Sequence, residues 1–195
     1  MLVLESRMRV EGITGRQITD FVLEATDDRY RAWWPGTHLH LHTLTRGTHA
    51  GRGEHVGDRV LMDEFIGHRR VRMTGEVVQA VPGKRIVWQL RAGARLPVRL
   101  SLELATSAGG VDLRHTITAG WRGPGRLLDP VLRCYFTRGF AAAMDAHVHT
   151  EFPRLRDLLA DTPSSPSATT TAATPPRPAR TSSGVSGTER KVEVT

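Results

Sequence analysis

The sequence predicts an α+β protein: one curved antiparallel sheet of about seven strands wrapped on a long C-terminal helix. Three observations carry this. Between residues 37 and 119 the apolar residues recur with period two in six successive segments, the mark of strands with one face to a core. From about Leu127 to Leu159 the period changes to that of a helix. Turn signals, Pro82-Gly83 and Gly109-Gly110, separate consecutive strands, so neighbours in sequence pair as hairpins.

The elements follow in order. Arg7 to Thr14 alternates weakly and is expected as a first strand. Gln17 to Ala25 places Ile18, Phe21, Val22 and Ala25 at helical spacing. Asp27 to Trp34 is a short second helix or turn, ended by Pro35 because proline disfavours helical backbone in the residue before it. Strands are expected over Thr37–Leu44, Arg59–Ile66, Val71–Val81, Arg85–Leu90, Leu96–Ala105 and Val111–Ala119. The Gly/Pro segment 120–125 leads into the long helical pattern. Its stripe runs through Leu128, Val131, Leu132, Tyr135, Phe136, Phe140, Met144, Val148, Phe152, Leu155 and Leu158. Pro153 inside it is expected to kink or split the helix. A half-solvated antiparallel sheet needs cover on its other face. One long helix provides it and leaves room for a cavity.

The order of elements, β-α-α-β6-α, resembles the helix-grip fold of the START/SRPBCC superfamily, which includes polyketide cyclases and aromatic-compound hydrolases. The resemblance spans about residues 5–160. It implies a deep, mostly apolar pocket for a hydrophobic or aromatic ligand.

Composition sets the domain bounds. Residues 1–161 read as one ligand-binding domain. Residues 162–195 are mostly Ser, Thr, Ala and Pro, with three valines as the larger apolar residues. Such a stretch cannot bury enough surface to offset its ordering entropy, so a disordered tail is expected there. The chain carries 27 basic and 20 acidic residues, a net charge of +7, and all but Lys84 and Lys191 of the basic residues are arginine. The surplus is spread along the chain without aromatic interleaving, which speaks against nucleic acid as a partner. No run of ~18 apolar residues exists to span a membrane. The first ten residues carry Glu5, Arg7 and Arg9 and lack the apolar stretch of a secretory signal. A cytoplasmic location and a monomer or homodimer are expected. The single cysteine, Cys134, excludes an internal disulfide framework and is expected to pack within the helix. No nucleophile elbow, phosphate loop or dinucleotide fingerprint is present.

Function is expected where a polar residue interrupts an inward face, since its burial costs free energy unless it is paired or bound. His115 lies mid-strand among Val111, Leu113, Ile117 and Ala119. Glu64 shares a face with Val60, Met62 and Ile66. Glu151 lies beside the helix stripe, four residues after His147, and residues at i and i+4 on a helix can hold one metal. The alternatives are a hydrogen-bonded core histidine for His115, a misread face for Glu64 and a solvated flank for Glu151. His38, His40 and His42 alternate along one strand. With ~6.8 Å between same-face neighbours, the three cannot easily share one ion. His38 stands apart because it follows Trp33-Trp34-Pro35-Gly36-Thr37 directly.

The stretch Tyr30 to His38 is similar to the Trp-His-Pro-x-Asp-His region of the diacetylphloroglucinol hydrolase family. That family binds zinc with two histidines and two glutamates in the order His, Glu, His, Glu, with a tyrosine shortly before the first histidine. The resemblance implies metal ligands at His38, Glu64, His115 and Glu151, and it matches the tyrosine to Tyr30. Trp34 stands where the motif has His, and Thr37 where it has Asp. It further implies hydrolysis of a carbon–carbon bond next to a carbonyl in an aromatic ketone or polyketide-like compound. Two imidazoles and two carboxylates suit Zn²⁺, with Fe²⁺ or Mn²⁺ as alternatives. Tyr30, or in its place Tyr135, is a candidate proton donor, and His40 and His147 are spare acid/base candidates. Two other classes stay open: a non-enzymatic carrier of a hydrophobic ligand, and a metal-free cyclase or dehydratase using His115 and Tyr30.

Overall fold

The computed structural model describes residues 1–47, 54–92, 94–121 and 123–161. The expected tail, 162–195, lies outside the described residues. Seven antiparallel strands form one sheet in the order β1-β7-β6-β5-β4-β3-β2. They are β1 (Leu2–Glu11), β2 (His38–Thr45), β3 (Arg59–Ile66), β4 (Arg69–Val81), β5 (Arg85–Ala92), β6 (Ala94–Ser107) and β7 (Gly110–Ala119). Strands β2 to β7 follow one another as a meander. β1 then pairs with β7, so the chain must cross from one sheet edge to the other between β1 and β2.

Two short helices make that crossing, α1 (Gly15–Leu23) and α2 (Asp27–Trp33). Thr14 caps α1 in a reciprocal capping box with Gln17, which satisfies otherwise orphaned backbone donors. Ile18 and Phe21 of α1 are buried. Gly15 sits where a Cβ would lie 2.3 Å from the carbonyl oxygen of Gly83, so only glycine lets α1 meet the β4–β5 turn. Thr19 Oγ1 accepts the Gly83 N–H at 3.0 Å and ties the same two elements. Thr26 caps α2. Beyond Trp33 the chain turns sharply: the N–H groups of Thr37 and His38 both donate to the Trp34 carbonyl, and Gly36 takes φ +78°.

The long helical pattern differs from its expectation in one respect. A 3-10 turn (Gly123–Leu128) and α3 (Asp129–Tyr135) precede α4 (Arg138–Asp161), and the break falls at Phe136-Thr137. Thr137 starts the new helix by accepting the Phe140 N–H on its side chain and the Ala141 N–H on its carbonyl. Pro153, expected to split the helix, lies inside α4, which runs on for two further turns. Cys134, expected to pack, is exposed on α3.

The core lies between the concave sheet face and α4. Val10, Val77, Ile86, Leu113, Val148 and Leu155 are all nearly inaccessible there. At about 25 cal/mol per Å² of buried apolar surface, such side chains supply the main drive for folding. α4 packs on β1 and β3 and meets α2, the helix that in turn packs on β2.

Candidate metal centre

Four side chains converge from three elements. His38 opens β2, and Glu64 is its cross-strand partner on β3. His147 and Glu151 lie one turn apart on α4 and face them. One ligand atom from each of the four falls within 4.8 Å of the others. His147 Nε2 is 3.3 Å from Glu64 Oε2 and 3.3 Å from Glu151 Oε2. His38 Nε2 is 3.7 Å from Glu64 Oε2 and 3.5 Å from Glu151 Oε2.

A β-bulge puts His38 there. The pairing steps from His38 opposite Glu64 to His40 opposite Asp63, so Leu39 is an extra residue on β2. The bulge reverses the alternation. His38 is fully buried and Leu41 continues the inner face, while His40 and His42 turn to the Asp27 carboxylate, at 2.8 and 2.7 Å. Simple period two therefore fails for the three histidines of this strand. His40, a spare acid/base candidate, stands apart from the buried four.

Aromatic rings enclose the histidines. Tyr30 lies flat on His38, with ring centroids 4.0 Å apart and planes 4° from parallel. Its phenol donates to Glu64 Oε2 at 2.7 Å. Trp33 Nε1 donates to the Glu151 carbonyl at 2.6 Å and so fixes α4 against α2. Trp34 stacks on His147 at 4.8 Å, with the Arg154 guanidinium over the indole at 5.0 Å. The position where the hydrolase motif has His thus contributes a ring face here.

Both ring nitrogens of His38, and Nε2 of His147, are buried without a hydrogen-bond partner. Buried polar atoms are nearly always satisfied, so three orphans in one cluster call for a missing partner. The distances identify its kind. They exceed ordinary hydrogen bonds, yet tetrahedral zinc with bonds of ~2.0–2.2 Å holds its ligand atoms about 3.3–3.6 Å apart. Two imidazoles and two carboxylates are also a donor set that Zn²⁺, Fe²⁺ or Mn²⁺ accepts. The residues present fit such an ion.

The electrostatics agree with that fit. Burial disfavours a charged His147, but the Glu151 and Glu64 carboxylates outweigh it and raise its pKa to about 10. Burial likewise disfavours an ionised Glu151, yet the adjacent His147 and His38 hold its carboxyl below the usual range. Without an ion, a proton on His147 Nε2 faces both carboxylates at 3.3 Å, longer than an ordinary hydrogen bond, so the charge is balanced while the nitrogen stays poorly satisfied. Burial, and then the nearby Glu64 and Glu151 charges, push the Tyr30 phenol well above its ordinary value, so it stays a proton donor.

The structure brings together three of the four expected ligands, His38, Glu64 and Glu151. The second histidine of the group is His147. His115 does face the interior, from β7, and burial lowers its pKa, but it is not one of the clustered four. The i, i+4 spacing of His147 and Glu151 was the sequence signal for this pairing. Read along the chain, the four still run His, Glu, His, Glu. Tyr135, the other proton-donor candidate, lies on α3 under the Arg69 guanidinium, 3.8 Å from its ring centre.

A cavity of about 340 Å³ is lined mainly by apolar residues of β4 to β7, α3 and α4, and none of the four clustered residues lines it. Its walls include Met73, Leu90, Leu100, Ile117, Phe136 and Phe140. Met144 also lines it, one turn before His147 on α4, so cavity wall and metal cluster share one helix face.

No protein-family profile matches the chain, and no curated protein matches it. Solved structures do. The chain is similar to the Q3J4M4_RHOS4 protein from Rhodobacter sphaeroides, with 19% identity and a TM-score of 0.50, covering 81% of this chain and 92% of that one. It is similar to the Aha1 dimer from Colwellia psychrerythraea, with 16% identity and a TM-score of 0.43, over 78% of this chain and 98% of that one. It also resembles DynU16, from the dynemicin biosynthetic locus, with 18% identity and a TM-score of 0.45, over 81% of this chain and 48% of that one. The likeness to the first of these is one of fold alone, and the fold is the helix grip: a curved antiparallel sheet closed on a C-terminal helix. Among the described residues no helix is long and apolar enough to cross a membrane.

Proposed function

We propose that this chain is a metal-dependent hydrolase acting on a small aromatic ketone or polyketide-like compound. The ion, of the Zn²⁺ class, is held by His38, Glu64, His147 and Glu151. The observation that carries the reading is the spacing of these four ligand atoms around buried nitrogens that lack any other partner. Such an ion, by taking a fifth ligand beside the four side chains, would lower the pKa of a bound water and polarise a carbonyl oxygen. The chain's own residues do the rest. Glu64 and Glu151 balance the ion's charge. Tyr30 orients Glu64 through its phenol and retains its proton for donation. Trp34 and Trp33 fix His147 and the backbone of Glu151. The largely apolar cavity, whose wall includes Met144 one turn before His147, suits an aromatic ring.

The test is elemental analysis of protein purified without chelators or an affinity tag, followed by turnover of aryl ketones. At least one equivalent of metal, and hydrolysis that stops with dipicolinate and returns with Zn²⁺, support the reading. Protein that binds no ion under Zn²⁺ dialysis overturns it. Stoichiometric metal with retention but no cleavage of the aromatic compound leaves a carrier in its place.

A further inference from the structure

A second group of metal-ligand type lies outside the buried four. It consists of Asp27, the first residue of α2, and His40 and His42 of β2. The Asp27 carboxylate uses both oxygens. One meets His40 Nδ1 at 2.8 Å, and the other meets His42 Nδ1 at 2.7 Å and accepts the Leu41 N–H at 3.0 Å. The two imidazoles stand almost perpendicular, 6.4 Å between centroids, so their nitrogens converge on the carboxylate. The bulge at Leu39 makes this arrangement, because it rotates both rings to the side where α2 begins.

We propose that Asp27, His40 and His42 form a second divalent-metal site that staples α2 to β2. Two imidazoles and one carboxylate are a three-ligand set for Zn²⁺, Ni²⁺ or Cu²⁺, with the remaining positions taken by water. The side chains are partly exposed, 29% for Asp27, 43% for His40 and 38% for His42, so an ion can enter directly from solvent. In the ion-free arrangement each Nδ1–H donates to Asp27. One ligand atom from each of the three lies within 4.8 Å of the others, and with each proton moved to Nε2 both Nδ1 atoms are free to ligate. The staple joins the element that carries Tyr30 and Trp33 to the strand that begins at His38. The outer ion is thereby a structural support for the inner site, while its own ligands are all different residues.

Equilibrium dialysis of the full chain against Zn²⁺, with bound metal counted, tests this alongside the variants His42→Ala, Asp27→Asn and His147→Ala. Two equivalents are expected for the parent protein and one for each variant. In the His147→Ala background, added Zn²⁺ is expected to raise the melting temperature, and adding His42→Ala is expected to remove that rise. Circular dichroism establishes that each variant is folded, and Asp27→Asn serves where His42→Ala is not. If the parent binds one equivalent and His147→Ala abolishes it, with His42→Ala and Asp27→Asn unchanged, the second site does not exist and the triad is only a hydrogen-bonded clasp. If one equivalent survives His147→Ala but not His42→Ala, the outer site stands and the reading of the inner one fails.

Discussion

Tyr30 donates its phenolic hydrogen to Glu64 at 2.7 Å while its ring lies flat on His38. One side chain of α2 therefore fixes both residues of a β2–β3 cross-strand pair. The oxygen it meets, Glu64 Oε2, is the one that also faces His38 and His147. Partners that hold a ligating carboxylate in place typically affect metal affinity by 10–100-fold when removed.

Tyr30→Phe keeps the stacked ring and deletes the hydroxyl. Zn²⁺ affinity is expected to fall about 10–100-fold with the fold intact. Competition with a chromophoric chelator measures this. An unchanged affinity would show that Glu64 does not depend on the phenol.

His147→Ala and His115→Ala separate two buried histidines of different standing. The first is expected to abolish binding at the inner site. The second is expected to leave one inner equivalent in place and to cost stability through the cavity it opens in the β7 face. Metal counts on both variants, read beside urea melts, decide it. Retention of inner metal by His147→Ala with loss in His115→Ala reverses the assignment.

How far the sequence disclosed this site depends on what periodicity can report. It reports which face a residue takes, and β3 emerged with the expected bounds and with Glu64 turned inward. It does not report distance along the sheet. His115 and His147 both point to the interior, and only packing of α4 on β3 shows which one reaches Glu64. Nor does it report a bulge. The alternating run His38-Leu39-His40-Leu41-His42 looks like one regular face, yet Leu39 is an added residue in the pairing and separates His38 from the other two. The helix break was misplaced for a similar reason. Pro153 is a strong local signal, but the chain divides at Thr137, whose hydroxyl gives α4 a better start.

Metal binding is expected to release close to one proton per ion at the inner site near pH 7. The two carboxylates at 3.3 Å hold His147 protonated up to about pH 10, and the ion must displace that proton. Glu151, held below the usual range, is already ionised and releases none. Affinity should then rise with pH through neutrality. Calorimetry in buffers of differing ionisation enthalpy counts the protons, and using His42→Ala protein restricts the count to the inner site. A value near zero contradicts the charge exchange.

Asp63 makes stability sensitive to acid. Its carboxylate is almost fully buried and receives Arg70 in a fork, at 2.8 and 2.7 Å. The Arg70 hydrogen bonds outweigh burial and hold its pKa below 3.8. A group depressed in the folded state adds stability above its unfolded pKa and loses it as pH falls through the folded value. Asp63→Asn is expected to cost about 1–3 kcal/mol at pH 7, and the gap from the parent should narrow below pH 4. Urea unfolding at pH 7 and pH 3 measures both values. A constant gap would mean that the charge contributes nothing.

The cavity lined by Met144, one turn before His147 on α4, predicts that ligand and metal binding can be separated. Leu100 lines it from β6 and is only partly buried, while His38, Glu64, His147 and Glu151 lie on β2, β3 and α4. Leu100→Trp should fill part of the 340 Å³ without touching the ligating side chains. Overpacking at such a site commonly costs about 1–3 kcal/mol, which a melt will register. Retention of a fluorescent aryl ketone is expected to fall at least tenfold while the metal count stays that of the parent protein. If retention is unchanged, the aromatic compound binds elsewhere. If metal is lost as well, the wall of the cavity and the cluster on α4 move together, and the shared face of Met144 and His147 is the element that couples them.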